Sequence, residues 1–204
     1  MKKLVVVDTG LGNVRSVVHA LEEAGRRGER ATEIAVSSDA DRVRRADALV
    51  VPGQGGFGDC SRALGGGLGD AVRESIGRGA PYLGICLGLQ ILFATSEEAP
   101  GCGGLAIFEG RVARLAPAHG IKIPHVGWNV AAPTRPTWLL ESAESFYFVH
   151  SYVVSCEPAI SCATTEHGAR FVSAIEKDNV AAVQFHPEKS QRAGLALLQR
   201  FLAR

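Results

Sequence analysis

The chain has 204 residues, 46% of them hydrophobic and 21% charged, which suits a soluble globular protein with a substantial core and excludes a disordered chain. A net charge of +1 with no run of Lys or Arg gives no electrostatic footprint for nucleic acid. Five cysteines (Cys60, Cys86, Cys102, Cys156 and Cys162) form no C-x-x-C pair, so neither a disulfide framework nor a zinc site is expected.

The N-terminus carries Lys2 and Lys3, but the apolar run Leu4–Val7 is cut short by Asp8 and the glycines after it. It is too short for a secretory or membrane segment and reads as a first buried strand, with no membrane partner and a cytoplasmic location expected. Alternation then follows: a helix over Val14–Ala24, strands at Thr32–Val36, Ala48–Val51 and Pro81–Ile85, and a helix from Leu87 to about Ala94. Strands alternating with helices predict a parallel, doubly wound α/β sheet with helices on both faces. The rhythm changes in the second half. Ile107–Leu115, Ile121–Val130, Phe146–Ser155, Ala159–Thr165, Phe171–Glu176 and Val180–Phe185 read as additional, antiparallel strands. A closing amphipathic helix is marked by Leu195, Leu198, Phe201 and Leu202, with Ser190 as its N-cap. Gly65-Gly66-Gly67 reads as a loop between two helices, so residues 1–204 are expected to form a single domain.

Cys86 and His186 each come just after a predicted strand, and in open parallel sheets sites form where the carboxyl ends of strands meet. Gly84 and Gly88 flank Cys86 in Gly84-Ile85-Cys86-Leu87-Gly88, as a sharp strand-to-helix turn carrying a nucleophile requires. The positive end of the following helix favours a thiolate there. His186-Pro187-Glu188 supplies a base with its own orienting carboxylate, so the three residues read as a Cys–His–Glu triad. An oxyanion hole would use the backbone N–H of Leu87 and the glycine-rich turn at Gly53 and Gln54. His125 and His150 have no acidic or cysteine pattern beside them, and no metal or cofactor is expected.

Gly84–Gln90 together with Phe185–Glu188 resembles the class I, triad-type glutamine amidotransferases. The segments Asp8–Asn13, Val51–Gly55, Ile123–Asn129, Tyr147–Tyr152 and Gln184–Ser190 resemble, more narrowly, the glutaminase subunit of imidazole glycerol phosphate synthase in histidine biosynthesis, and span nearly the whole chain. Pro124-His125-Val126-Gly127-Trp128-Asn129 is the most specific of them. Thr9 departs from the pattern, where tyrosine is expected after the aspartate. The resemblance implies that Cys86 forms a glutamyl thioester and that His186 acts as acid and base. It also implies that Glu98 receives the amino group of glutamine, with Gln90, Ser151 and Tyr152 as further contacts. Because ammonia in neutral water is mostly ammonium, the product needs a sheltered route. The resemblance names the receiver as a (β/α)8-barrel cyclase subunit, forming a heterodimer with Asn13, Pro124, Trp128, Asn129 and Lys189 at the interface. Lys189 at the start of the last helix, where the dipole disfavours a cation, agrees with an acidic partner. Three alternatives stand beside this reading: a glutaminase serving another acceptor synthase, a stand-alone γ-glutamyl hydrolase, and a scaffold without catalysis.

Overall fold

The computed structural model describes residues 1–27 and 32–204. Chain order begins β1 (Lys2–Val7), α1 (Val14–Arg26), β2 (Thr32–Ser37), α2 (Ala40–Arg44), β3 (Ala48–Gly53), α3 (Phe57–Ala63), α4 (Leu68–Gly77), β4 (Tyr82–Cys86) and α5 (Leu87–Gln90). It continues with β5 (Gly110–Arg114), β6 (His125–Pro133), β7 (Glu144–His150), β8 (Tyr152–Cys156), β9 (Ser161–His167), β10 (Ala169–Lys177), β11 (Val180–Val183) and α6 (Gln191–Leu202). A 3-10 turn at Pro187–Lys189 leads into α6. Among the described residues, no helix is long and apolar enough to cross a membrane.

Strand order across the sheet is β2-β1-β3-β4-β11-β10-β9-β6-β7, with β8 pairing β10 and β5. The pairs from β2 to β11 are parallel and those beyond are antiparallel, so the fold is a parallel α/β sheet with an antiparallel extension, as the two rhythms of the sequence predict. Side chains alternate across a strand, and here both sides are apolar. Leu4, Val6, Ala48, Val50, Leu83 and Ile85 join one core under α1 and α6. Val5, Val7, Leu49, Val51 and Tyr82 join the other, against α2, α3 and α4. That double burial is why these strands read as continuous apolar runs rather than alternating ones.

Two expected elements differ. The helix after Cys86 ends at Gln90 instead of continuing to about Ala94. The carbonyls of Ile91, Leu92 and Ala94 accept from Leu105, Ile107 and Gly104, so a distant segment takes the bonds that helical continuation would need. The run Phe146–Ser155 is two strands, because β7 pairs with β6 while β8 pairs with β5, and the carbonyl of Ser151 between them accepts from Leu115 N–H. The short helix α2 was not expected; Asp39 caps it by accepting from Arg42 N–H at 2.9 Å. Ser190 does precede α6, but its hydroxyl does not cap it. It accepts from Tyr147 N–H and donates to the His186 carbonyl, clamping β7 to the turn that follows β11.

Candidate active site

Cys86 ends β4, in register with Gly53 at the end of β3. Its backbone has φ 54° and ψ −100°, a region that side-chain-bearing residues seldom occupy and that marks the strained turn of a nucleophile elbow. The flanking glycines allow that turn. A Cβ added at Gly88 would stand 1.8 Å from the Val51 carbonyl oxygen, and one at Gly84 would stand 2.3 Å from that of Gly88. Leu87 is the first residue of α5, and its N–H has no acceptor within the helix. With only four residues α5 carries little macrodipole, so the local cation for the sulfur is an imidazolium rather than the helix end.

That imidazolium is His186, which follows β11, the strand paired in parallel with β4. His186 N–H donates to the Tyr147 carbonyl, which fixes the loop, and Nδ1 lies 2.7 Å from Glu188 Oε1 with both side chains 1% exposed. Nε2 is buried and, among the described residues, has no hydrogen-bond partner. Burial opposes the charged ring, but Cys86 first and Glu188 second outweigh it and raise the imidazole to about 10. Sulfur and ring line one cavity of about 320 Å³, together with Gln54, Leu87, Gln90, Glu98, Pro124, Ser151, Tyr152 and Lys189.

Other candidate residues take distinct places. Glu98, half-buried, accepts from Phe57 N–H at 2.8 Å and reaches the cavity, whereas Glu97 accepts from Arg114 N–H outside it. Gln90 is buried, and its amide nitrogen already donates to the Tyr152 carbonyl at 3.1 Å and to Gln184 Oε1 at 3.3 Å. Gly53 lies one residue behind the cavity lining, tight against Leu87. Lys189 sits in the 3-10 turn before α6 rather than in the helix, with Nζ 5.9 Å from the Tyr147 ring. Asn13 is exposed and caps α1 through Ser16 N–H. Trp128 is exposed and shares one face of β6 with exposed Val126 and Val130. Thr9 is buried, and its hydroxyl has no partner among the described residues.

Two residues at the site escape a reading by residue type. Gln184 is fully buried and directs its amide nitrogen at Cys86 Sγ, 3.5 Å away. His150 lines the cavity, where burial and then the neighbouring His125 hold its imidazole down at about 3. The only sequence signal for either was the motif around it; neither glutamine nor a lone histidine in a strand announces such a position.

A strained cysteine and a carboxylate-held histidine thus share one cavity at the carboxyl ends of adjacent parallel strands, on an α/β fold. Residues 5–204 match the family model described as glutamine amidotransferase class-I, and the chain belongs to that family. Within it, the chain falls among the proteins named imidazole glycerol phosphate synthase subunit HisH. It is 46% identical to that of Aquifex aeolicus (strain VF5) over 98% of this chain and 95% of that one. It is 43% identical to that of Methanothermobacter thermautotrophicus over 98% and 97%. Among solved structures it is similar to one titled crystal structure of glutamine amidotransferase, with TM-score 0.75, 22% identity and coverage of 98% and 97%. It is also similar to the structure of PurLQS from Thermotoga maritima, with TM-score 0.73, 18% identity and coverage of 99% and 98%. At those identities the two structures speak to the fold alone.

Proposed function

We propose that this HisH-family chain hydrolyses the side-chain amide of glutamine and passes the ammonia to a (β/α)8-barrel cyclase subunit, which makes imidazole glycerol phosphate and aminoimidazole carboxamide ribotide. The observation that carries the reading is Cys86, held at positive φ in the cavity it shares with a His186 ring bonded to Glu188. The Cys86 thiolate attacks the amide carbon, and the carbonyl electron pair moves onto oxygen. The N–H of Leu87 and the Gly53–Gln54 backbone receive that charge. His186, as imidazolium, gives its proton to the departing nitrogen as the C–N bond breaks, leaving a thioester and a neutral ring. Water then attacks, His186 takes its proton, and the C–S bond breaks to return thiolate, imidazolium and glutamate. Glu188 stays ionised and holds the ring in place. Glu98 is positioned for the amino group of glutamine, with Gln90, Ser151 and Tyr152 around the rest.

Support for a docked partner comes from the exposed stripe Val126, Trp128 and Val130, since adjacent apolar groups are poor neighbours for water. Pro124 and Lys189 line the cavity, so a cyclase seated there, with Asn13 and Asn129 at its margins, would receive ammonia before it meets bulk water. In this reading residues 1–204 act as one amidotransferase domain of a cytoplasmic heterodimer. The test is Cys86→Ala assayed with the cyclase subunit. Glutamine-dependent synthesis is expected to fall by about 10³-fold or more while synthesis from ammonium salts persists. Loss of both, or of neither, would overturn the division of labour.

A further inference from the structure

Two buried histidines, His150 in the cavity wall and His125 behind it, have no part in the hydrolysis. His125 shares one side of β6 with Asn129, opposite the exposed stripe. Their hydrogen bonds run in one direction. Val130 N–H donates to Asn129 Oδ1 at 2.8 Å, so the atom facing the Glu166 carbonyl at 2.8 Å and His125 Nε2 at 3.2 Å is the amide nitrogen. His125 Nε2 therefore accepts, and its hydrogen sits on Nδ1, 3.1 Å from His150 Nε2. His150 in turn carries its hydrogen on Nδ1, 3.0 Å from the Tyr152 carbonyl. Starting from that carbonyl, which can only accept, gives the same assignment. Backbone groups at opposite ends thus impose one pair of tautomers. The His125 ring cannot readily turn, being stacked on Phe148 at 4.8 Å and on His167 at 4.0 Å. The Tyr152 carbonyl also holds Gln90, which contacts Gln184, which points at Cys86 Sγ. A continuous polar string therefore joins β6 to the sulfur.

The geometry points to Asn129, His125 and His150 as a positioning relay, holding the Tyr152 carbonyl and, through Gln90 and Gln184, the Cys86 sulfur, so that a partner covering β6 acts on the nucleophile. This rests on the glutaminase reading above and adds residues to it; Asn129 and His125 reach no reacting atom themselves. Asn129→Asp is the decisive variant. It keeps the shape of the side chain, and the bond to the Glu166 carbonyl that it forfeits is lost equally in Asn129→Ala, which serves as its control. A carboxylate can only accept, however, and would pull the His125 hydrogen to Nε2, taking the donor away from His150.

With saturating cyclase subunit, so that any change in partner affinity is overcome, kcat for glutamine hydrolysis is expected to fall about tenfold in Asn129→Asp and less in Asn129→Ala, with KM for glutamine moving less than about twofold. NMR of nitrogen-labelled imidazoles should place the hydrogen on Nδ1 of both rings in the wild type and move it to Nε2 of His125 in Asn129→Asp. Wild-type hydrogens on Nε2, an unchanged kcat, or a loss confined to partner affinity would overturn the relay. If the wild type itself releases no glutamate with the cyclase, the glutaminase reading fails instead. The relay is then judged by the spectra and by alkylation of Cys86 with iodoacetamide, whose rate should change by about threefold or more in Asn129→Asp; an unchanged rate would overturn it.

Discussion

His186 is held by opposing forces that separate substitutions can take apart. Burial disfavours its cation, and Cys86 ahead of Glu188 reverses that preference, giving a ring that titrates at about 10. In Cys86→Ala the larger favourable contribution is gone, so the ring is expected to titrate below that value, as imidazole NMR across pH would show. An unmoved titration would mean that the sulfur is not the partner of the ring. Glu188→Gln keeps the shape but not the charge, and is expected to lower kcat by about 10²-fold or more with KM nearly unchanged. Much of this was legible beforehand, because His-x-Glu and a glycine-flanked cysteine state their chemistry in residue type and spacing. Gln184 was not. Its role depends on lying in the next strand's extension beside Cys86, a contact nearly a hundred residues apart in sequence.

The strand-to-helix turn is the element on which the site depends, and its tolerance is set by space more than by polarity. Adding a methyl at Gly88 sets carbon against the Val51 carbonyl, a backbone atom that cannot swing aside. Gly88→Ala is expected to destabilise the fold by about 3 kcal/mol or more in urea titrations, by overpacking. Gly77→Ala is the matched control. It has open space around the added carbon at the end of α4, and should be neutral or stabilising by up to about 1 kcal/mol. Strand identity was readable along the parallel half, where runs of Val and Leu punctuated by glycine leave few choices, although the short helix α2 was missed. The length of α5 was not readable, since an apolar run fully buried on all sides has no helical period, and its bonds go to residues 104–107. The break at Ser151 was hidden for the same reason: two strands with different partners lie back to back without a turn signal.

Across the whole molecule, the parallel sheet brings Cys86 and His186 to one cavity, while the antiparallel extension carries an acid liability. Its place in the fold follows from pairing the sequence does not announce: β6 lies between β9 and β7, far from its predecessor β5. This wedges His125 and His150 among Phe148 and Phe171. Burial, and then the charge of His167, holds His125 down at about 4; burial, and then His125, holds His150 at about 3; both start from 6.5. Between those values and 6.5 the unfolded chain binds protons that the folded chain refuses, so stability rises with pH in that window. The stabilisation is complete above 6.5 and is lost as pH falls toward about 4. Because a charge on one ring disfavours a charge on the other, the two titrate as a coupled pair, and the loss belongs to the pair rather than to either ring. Urea midpoints should therefore drop steeply below about pH 6. Hydrogen exchange should report the earliest opening in β6, β7 and β9 rather than in β3, β4 and β11, since the protons enter there. Replacing His125 with Asn, which cannot take up that proton, should flatten the slope even if it lowers stability at neutral pH. An equally steep slope in that variant would place the acid sensitivity elsewhere in the chain.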